Sequence, residues 1–194
     1  MAKDTRQSIV SGAFRAMVDN GYEHTSIKDI AAAAGVAPGL VHYYFASKED
    51  LLVEVLQDSC ERFQLAEGAS AEEVVAVGFE TFKRALVDEG EFHRLLLDMS
   101  GLALHNPRVA AALLGFVRAD RGRVEEIAAW VLGAQAGRDP AAAAPIAAAV
   151  WAAVYGIIFQ NLIDPAFDAA GAVEALAAMV ASIAAPVTAG SSPA

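Results

Sequence analysis

Between Gly21 and Ser47, helix start and stop signals crowd so closely that only very short helices fit, and this constrains the fold more than any other feature. Ahead of this stretch Ile9, Ala13 and Met17 recur at spacings of four with Phe14 beside them, which predicts a helix from about Thr5 to Asn20. Gly21 ends that helix, because a glycine just past the last turn takes the left-handed conformation that closes a helix C-terminus. Thr25 or Ser26 then offers an N-cap oxygen, and Ile27, Ile30, Ala31 and Ala34 mark the apolar face of a short second helix. Gly35 stops it. Pro38 suits the first turn of a third helix, where its missing N–H has no intrahelical partner to lose. That helix has room only for Pro38 to Tyr44, because Phe45-Ala46-Ser47 leads at once into another start, with Ser47 and Asp50 spaced as a capping box shortened from Glu to Asp. Two short helices are therefore joined by a tight turn containing Gly35.

The rest of the chain continues in the same period. A fourth helix, about Lys48 to Gln64, turns Leu51, Leu52, Val55, Leu56 and Phe63 inward, and Ser70 can cap another that runs to about Asp88. Glu91 to Leu104 is dense in leucine. Asn106-Pro107 is a cap followed by a first-turn proline for a long helix toward Gln135, and Asp139-Pro140 repeats the signal for one that starts properly near Pro145 and ends at Ile163. A last helix, about Ala169 to Ala185, stops at Pro186, and the tail from 188 to 194 reads as disordered. The fold class is all-α with about nine helices. No run alternates with period two for long, and no repeat of fixed period is present.

Composition sets further limits. The chain is 194 residues long and 56% hydrophobic, enough for a core that holds a ligand-sized pocket. Its one cysteine, Cys60, excludes an internal disulfide, and the opening MAKDTRQSIV lacks the basic-then-apolar order of a signal peptide, so a cytoplasmic protein without a membrane partner is expected. The uncharged run Pro140 to Ile163 is long enough to span a bilayer. Its alanine content, the interrupting Gln160 and Asn161 and the absence of a following basic cluster favour a helix buried between protein layers. The net charge of −10 argues at first against nucleic acid, but residues 1–50 hold five Lys/Arg against six Asp/Glu, so the acidity lies mostly in the remainder. His24, His42, His93 and His105 are not at metal-ligand spacing with Cys60. No phosphate loop or nucleophile elbow is present either, so neither an enzyme nor a cofactor is expected.

The segment GYEHTSIKDIAAAAGVAPGLVHYYFASKEDL, Gly21 to Leu51, resembles the N-terminal signature of the TetR family of bacterial transcriptional regulators. The resemblance implies a helix-turn-helix DNA-binding domain over 1–47, a ligand-binding and dimerisation domain over 48–187, and a dimer that leaves a palindromic operator when a small molecule binds. It also implies DNA contacts from Thr25, Ser26, Ala37, Pro38, Gly39, Leu40, His42, Tyr43, Tyr44 and Lys48. Small residues at Pro38 and Gly39 permit close approach to base edges, and Leu40 suits a thymine methyl. His42, Tyr43 and Tyr44 stand where relatives touch phosphates, and Lys48 or the Thr25 and Ser26 hydroxyls could do likewise. Val41, Phe45 and in part Tyr44 also suit anchoring of the short helix. Ala37 departs from the family, where Ser or Thr is common.

Two expectations concern the second domain. Ala149, Ala152, Ala153 and Gly156 are small residues at helical spacing on a helix apolar nearly all round, which points to a homodimer seam. Phe63, Phe82, His93, Met99, Phe116, Trp130, Trp151, Tyr155 and Phe159 supply more large side chains than that seam needs, so an apolar, aromatic-bearing pocket for a neutral or cationic effector is expected among them. For any one of them plain core packing is the stronger reading, and the group as a whole is better evidence than its members. The competing function is a helical binding or scaffold protein of the same fold without operator affinity.

Overall fold

A computed structural model of the chain describes residues 2–60, 70–133 and 139–184. Among these residues the structure is all-α, with no strand: α1 (Ala2–Asn20), α2 (Ile27–Ala34), α3 (Pro38–Tyr44), α4 (Lys48–Cys60), α5 (Ala71–Asp88), α6 (Gly90–Ala103), α7 (Pro107–Gly133), α8 (Ala143–Ile163) and α9 (Ala169–Ala184). The expected extensions of α4 to Gln64 and of α7 toward Gln135, and the tail 188–194, lie outside the described residues. Helix α8 begins at Ala143 rather than near Pro145, preceded by a single 3-10 turn at Pro140–Ala142. Pro145 thus falls in the first turn, where a proline removes no intrahelical donor.

The punctuation is satisfied residue by residue. Gly21 and Gly35 have φ of 77° and 70°, the left-handed conformation their position demands. The Gly35 N–H donates to Ala32 O and the Val36 N–H to Ala31 O, which closes α2 with the paired bonds of a Schellman motif. Helix α5 opens with a complete capping box: Ser70 Oγ accepts from the Glu73 N–H, and Glu73 accepts from the Ser70 N–H. Asn106 Oδ1 caps α7 by accepting from the amides of Arg108 and Val109.

The chain packs as two compact units. The first joins residues 1–62 to 89–120, and the second joins 63–88 to 121–194, so the division falls inside α7. In the first unit α1 is the hub, packing on α2, α4 and α6, while α3 packs on α2. Ile9, Ala13 and Met17 of α1, Ile30 and Ala31 of α2, and Leu51, Leu52, Val55 and Leu56 of α4 are all buried. In the second unit α9 packs on α5 and α8. The Asn161 amide donates to Leu86 O, and Lys83 bridges Glu80 and Glu174 at the surface. Ala147, Ile157 and Ile158 are the buried positions of α8 beyond its first turn, whereas Ala148, Ala149, Ala152, Phe159 and Ile163 face outward along the helix. Helix α8 is long and apolar enough to cross a membrane, yet only 17% of its apolar stretch is buried within one chain.

One glycine in the first unit is required by packing. A Cβ on Gly12 would lie 2.7 Å from Ala34 Cβ and N and 2.8 Å from Ala34 Cα. Two of these three atoms are backbone and cannot swing away. Gly12→Ala gains about 1 kcal/mol of helix propensity but forces α1 and α2 apart, an overpacking cost of about 1–3 kcal/mol or more. We expect a lower melting temperature for Gly12→Ala and no full rescue by adding Ala34→Gly, because Ala34 N and Cα stay in the way. Thermal unfolding of both variants checks this, and a Gly12→Ala protein as stable as the parent would refute the close approach.

Candidate nucleic-acid interface

Helix α2 is fixed before it meets anything. Ser26, with extended φ and ψ of −97° and 163°, is its N-cap. Ser26 Oγ accepts from the Asp29 N–H at 3.3 Å, while Asp29 Oδ2 accepts from the Ser26 N–H at 2.8 Å and from the Ser26 hydroxyl at 2.6 Å. These bonds to the Ser26 hydroxyl and then to its amide hold the Asp29 carboxyl below the usual carboxylate range. Thr25 is not the cap. It is 2% exposed, and its hydroxyl points inward, shared between Ala16 O at 2.9 Å and Gly21 O at 2.7 Å. This corrects the assignment of Thr25 as a phosphate donor: its hydroxyl proton is already committed inside the fold, so of the pair only the exposed Ser26 faces outward.

Helix α3 is carried outward on this base. Val41 is fully buried and Phe45 5% exposed, and the Arg6 guanidinium lies 5.1 Å over the Phe45 ring while pairing with Glu54 at 2.7 Å. The other face is bare: Ala37, Pro38, Gly39, Leu40, His42 and Tyr43 are exposed, Tyr43 at 79%. Tyr44 is half-buried and meets Tyr43 edge-on at 5.1 Å, so it braces the exposed ring. A Cβ at Gly39 would meet nothing within 4 Å, so the protein's own packing does not demand glycine there. Ala37 occupies the N-cap without a side-chain bond.

Lys48 also needs correction as a freely reaching phosphate cation. Its Nζ donates to Tyr22 O at 2.7 Å and Thr25 O at 3.0 Å and lies 4.2 Å over the Tyr22 ring. Two of its three N–H bonds are thus turned into the loop between α1 and α2. Burial lowers its pKa, and burial above all raises that of the Tyr22 phenol beside it. Arg15 is similarly tied, donating to Ala33 O at 2.6 Å. The cation that sequence reasoning missed is Lys28. It stands exposed on the first turn of α2, beside Ser26 and without an ion pair among the described residues. Only its place just after the cap could have marked it, and the adjoining Asp29 masks that signal in any charge count.

A short helix ended by a left-handed glycine, a tight turn and a second short helix with one bare face are the geometry of a helix-turn-helix. Residues 9–55 match the family model for bacterial regulatory proteins of the tetR family. Residues 9–55 thus carry a TetR-family N-terminal domain. The chain is 29% identical over 126 residues to the HTH-type transcriptional regulator BetI of Rhizobium meliloti, a match that covers 65% of this chain and 48% of that regulator, so the chain spans about half the length of that relative. A TetR-family transcriptional regulator from Rhodococcus sp. superposes with a TM-score of 0.79 at 18% identity, over 94% of this chain and all of that one. FadR of Bacillus subtilis, solved in complex with stearoyl-CoA, gives 0.71 at 19% identity, over 91% and 97%. At these identities the structural likeness is one of fold. The relatives named are regulators and not enzymes.

The side chains suggested for an effector pocket divide between the two units of the chain. His93, Met99 and Phe116 are buried in the first, at 5%, 2% and 5% exposure. Phe82, Trp151 and Tyr155 are half-buried in the second, the latter two stacked at 5.2 Å. Two assignments fail within their unit. Trp130 is 46% exposed and Phe159 48%, and Phe159 stands seven residues after Ala152 on the outward stripe of α8, so neither lines an interior of that unit. Phe63 lies outside the described residues. For the seam, Ala149 and Ala152 are exposed while Ala153 and Gly156 are half-buried.

Two outcomes follow from these surroundings. Lys48→Ala should lower stability by about 1–2 kcal/mol, since it removes charge-assisted bonds to two carbonyls, whereas Lys28→Ala should leave the melting temperature unchanged; equal thermal shifts would contradict the inward placement of Lys48. Burial also holds the His93 imidazole below its ordinary value. A depressed histidine contributes stability that is present above its unfolded value, about 6.5, and is lost as pH falls toward the folded value. Melting temperature should therefore decline as the pH drops from about 7 to 5, less steeply in His93→Phe, as parallel thermal scans will register.

Proposed function

We propose that this chain is a dimeric, ligand-responsive regulator of the TetR family that binds a palindromic operator through α3 and acts as a repressor. One observation carries the reading: α3 is seated by Val41 and Phe45 so that Pro38, Gly39, Leu40, His42 and Tyr43 stand together in solvent, a short ridge with small residues at its leading end. A ridge of this kind can enter a major groove, with Leu40 against a thymine methyl. Ser26, Tyr43, Lys28 and the remaining N–H of Lys48 are the phosphate-side candidates; Ala37, which offers no hydroxyl, contributes its small size. By domain, residues 1–47 would bind DNA and 48–187 would bind effector and partner.

A second copy is our reading of what covers α8. Its outward residues form one stripe from Ala149 and Ala152 to Phe159 and Ile163, and α9 adds Met179 and Ile183, both exposed. A one-sided stripe suits a two-fold protein seam better than lipid, which would surround a spanning helix. FadR of Bacillus subtilis, a neighbour in fold, was solved with stearoyl-CoA, whose long acyl chain is apolar, and this supports an effector with an apolar part for this chain as well. The scaffold alternative draws on the uncapped α3 and the inward Lys48, both of which weaken the phosphate grip.

Fluorescence anisotropy on the DNA upstream of the protein's own reading frame separates the two. We expect affinity to fall steeply with salt, Lys28→Ala to weaken every sequence and reduce the salt slope by about 1, and Leu40→Ala to change sequence preference. No binding to any fragment at low salt would leave the scaffold reading. For the seam, light scattering should give a dimer mass for the parent at micromolar concentration and a monomer for Ala152→Glu with Phe159→Glu; a monomeric parent removes the dimer.

A further inference from the structure

Inside the first unit two side-chain atoms, Tyr22 Oη and His93 Nδ1, are buried without a hydrogen-bond partner among the described residues, and Tyr22 already serves Lys48 through its ring and carbonyl. His93 is 5% exposed on α6, and its Nδ1 is closed off from solvent with no hydrogen-bond partner. The Phe92 ring centroid is 6.0 Å from the imidazole, Phe116 meets Phe92 edge-on at 6.2 Å, and Leu95, Leu96 and Met99 are the buried residues that follow along α6. Phenyl rings, a thioether and an aliphatic chain carry no strong donor or acceptor. Buried histidines ordinarily pair with a carboxylate, bond a carbonyl or hold a metal, and among the described residues no His, Cys, Asp or Glu group is arranged for an ion.

We propose that His93 is the polar anchor of the effector site, receiving the hydroxyl or carbonyl oxygen of an uncharged, mainly apolar molecule whose body lies along Phe92 and Phe116. The inference rests on the effector reading above and narrows it to a ligand class. Apolar walls with one or two placed polar groups are the usual make-up of a small-molecule site, the polar group fixing orientation and selectivity. An uncharged ligand follows from the same surroundings, since a carboxylate or ammonium brought there would lose its hydration without a counter-charge. Phe92 is half-buried, so the aromatic pair reaches from the interior toward the surface and offers a way in. The position also suits regulation: α6 packs on α1, and α1 carries Gly12 and Arg15, which hold α2.

The test uses the full-length protein and three probes of similar size: ethylbenzene, phenethyl alcohol and acetophenone. Binding is followed by melting temperature and by titration of the imidazole NMR signals of histidine-labelled protein. We expect at least one oxygenated probe to bind about five- to tenfold tighter than ethylbenzene and to move the His93 signal. His93→Phe should abolish that preference while leaving the ethylbenzene affinity nearly unchanged. Preference for the alcohol alone makes Nδ1 the acceptor, and preference for the ketone as well makes it the donor. Equal affinity for all three probes, or a preference that survives His93→Phe, overturns the anchor and leaves the effector reading standing. Should none of the three bind or stabilise the protein, the anchor falls and the effector reading loses its support in this unit. If His93→Phe does not fold, His93→Gln and the imidazole signal of the parent protein decide.

Discussion

A helix of seven residues is too short to be stable on its own, so α3 exists only because other elements hold it. Val41 and Phe45 supply the apolar part of that hold, Arg6 clamps Phe45 from α1 while pairing with Glu54 of α4, and the Schellman closure at Gly35 fixes where α3 begins. The rest of the first unit follows from this dependence. Because α3 packs on α2, its aim is set by how closely α2 lies on α1, and that distance is set in turn by the missing Cβ of Gly12. Bare side chains on the outer face are affordable only because the inner face is fixed so completely.

The same dependence accounts for the charge pattern. Three of the cations in the N-terminal helices are committed to the architecture: Arg6 to Glu54 and the Phe45 ring, Arg15 to Ala33 O, Lys48 to two carbonyls and the Tyr22 ring. Each adds a directional bond between segments that apolar contact, which is non-directional, also holds. A head built this way has little positive charge left for phosphate. Its affinity for a polyanion would rest on few groups, with Lys28 foremost, so a near-neutral count over residues 1–50 and a DNA-binding surface are compatible only if the contacts are few and well placed.

How far the sequence is legible depends on the range of each interaction. The bounds of α2 and α3 could be read almost to the residue, since Ser26, Gly35 and Pro38 act on their own backbone within a few positions. Gly12 could not, because its meaning lies in Ala34, more than twenty residues on, and a lone glycine within a helix pattern carries no sign of its partner. Thr25 and Ser26 are equivalent as cap candidates in the sequence, and only the turn from Gly21 decides which hydroxyl points inward. Lys48 is obscured for a similar reason: its chemistry suits a phosphate, but carbonyls of Tyr22 and Thr25 take two of its N–H groups. In the second unit composition alone could not sort Trp130 and Phe159 from interior aromatics, because a helix as uniformly apolar as α8 has no polar face to give its orientation away.

That uniformity contrasts with α6, and the contrast bears on how such a chain could be switched. On α6 a single buried polar side chain, His93, sits among buried apolar residues in the same packed unit as α2 and α3, so a change there need not pass through any second body to reach α1. Proximity is not sufficient. A molecule that bound the two arrangements of α1 and α6 equally well would leave DNA affinity untouched however tightly it bound. A hundredfold release requires about 2.7 kcal/mol of difference between them. A single hydrogen bond to a neutral group contributes about 1 kcal/mol, so it would cover less than half of that difference. The remainder would have to come from apolar contact with rings such as Phe92 and Phe116, made fully in one arrangement and only partly in the other. An effector that fills the site snugly would then regulate, and a smaller one with the same oxygen would bind without releasing DNA.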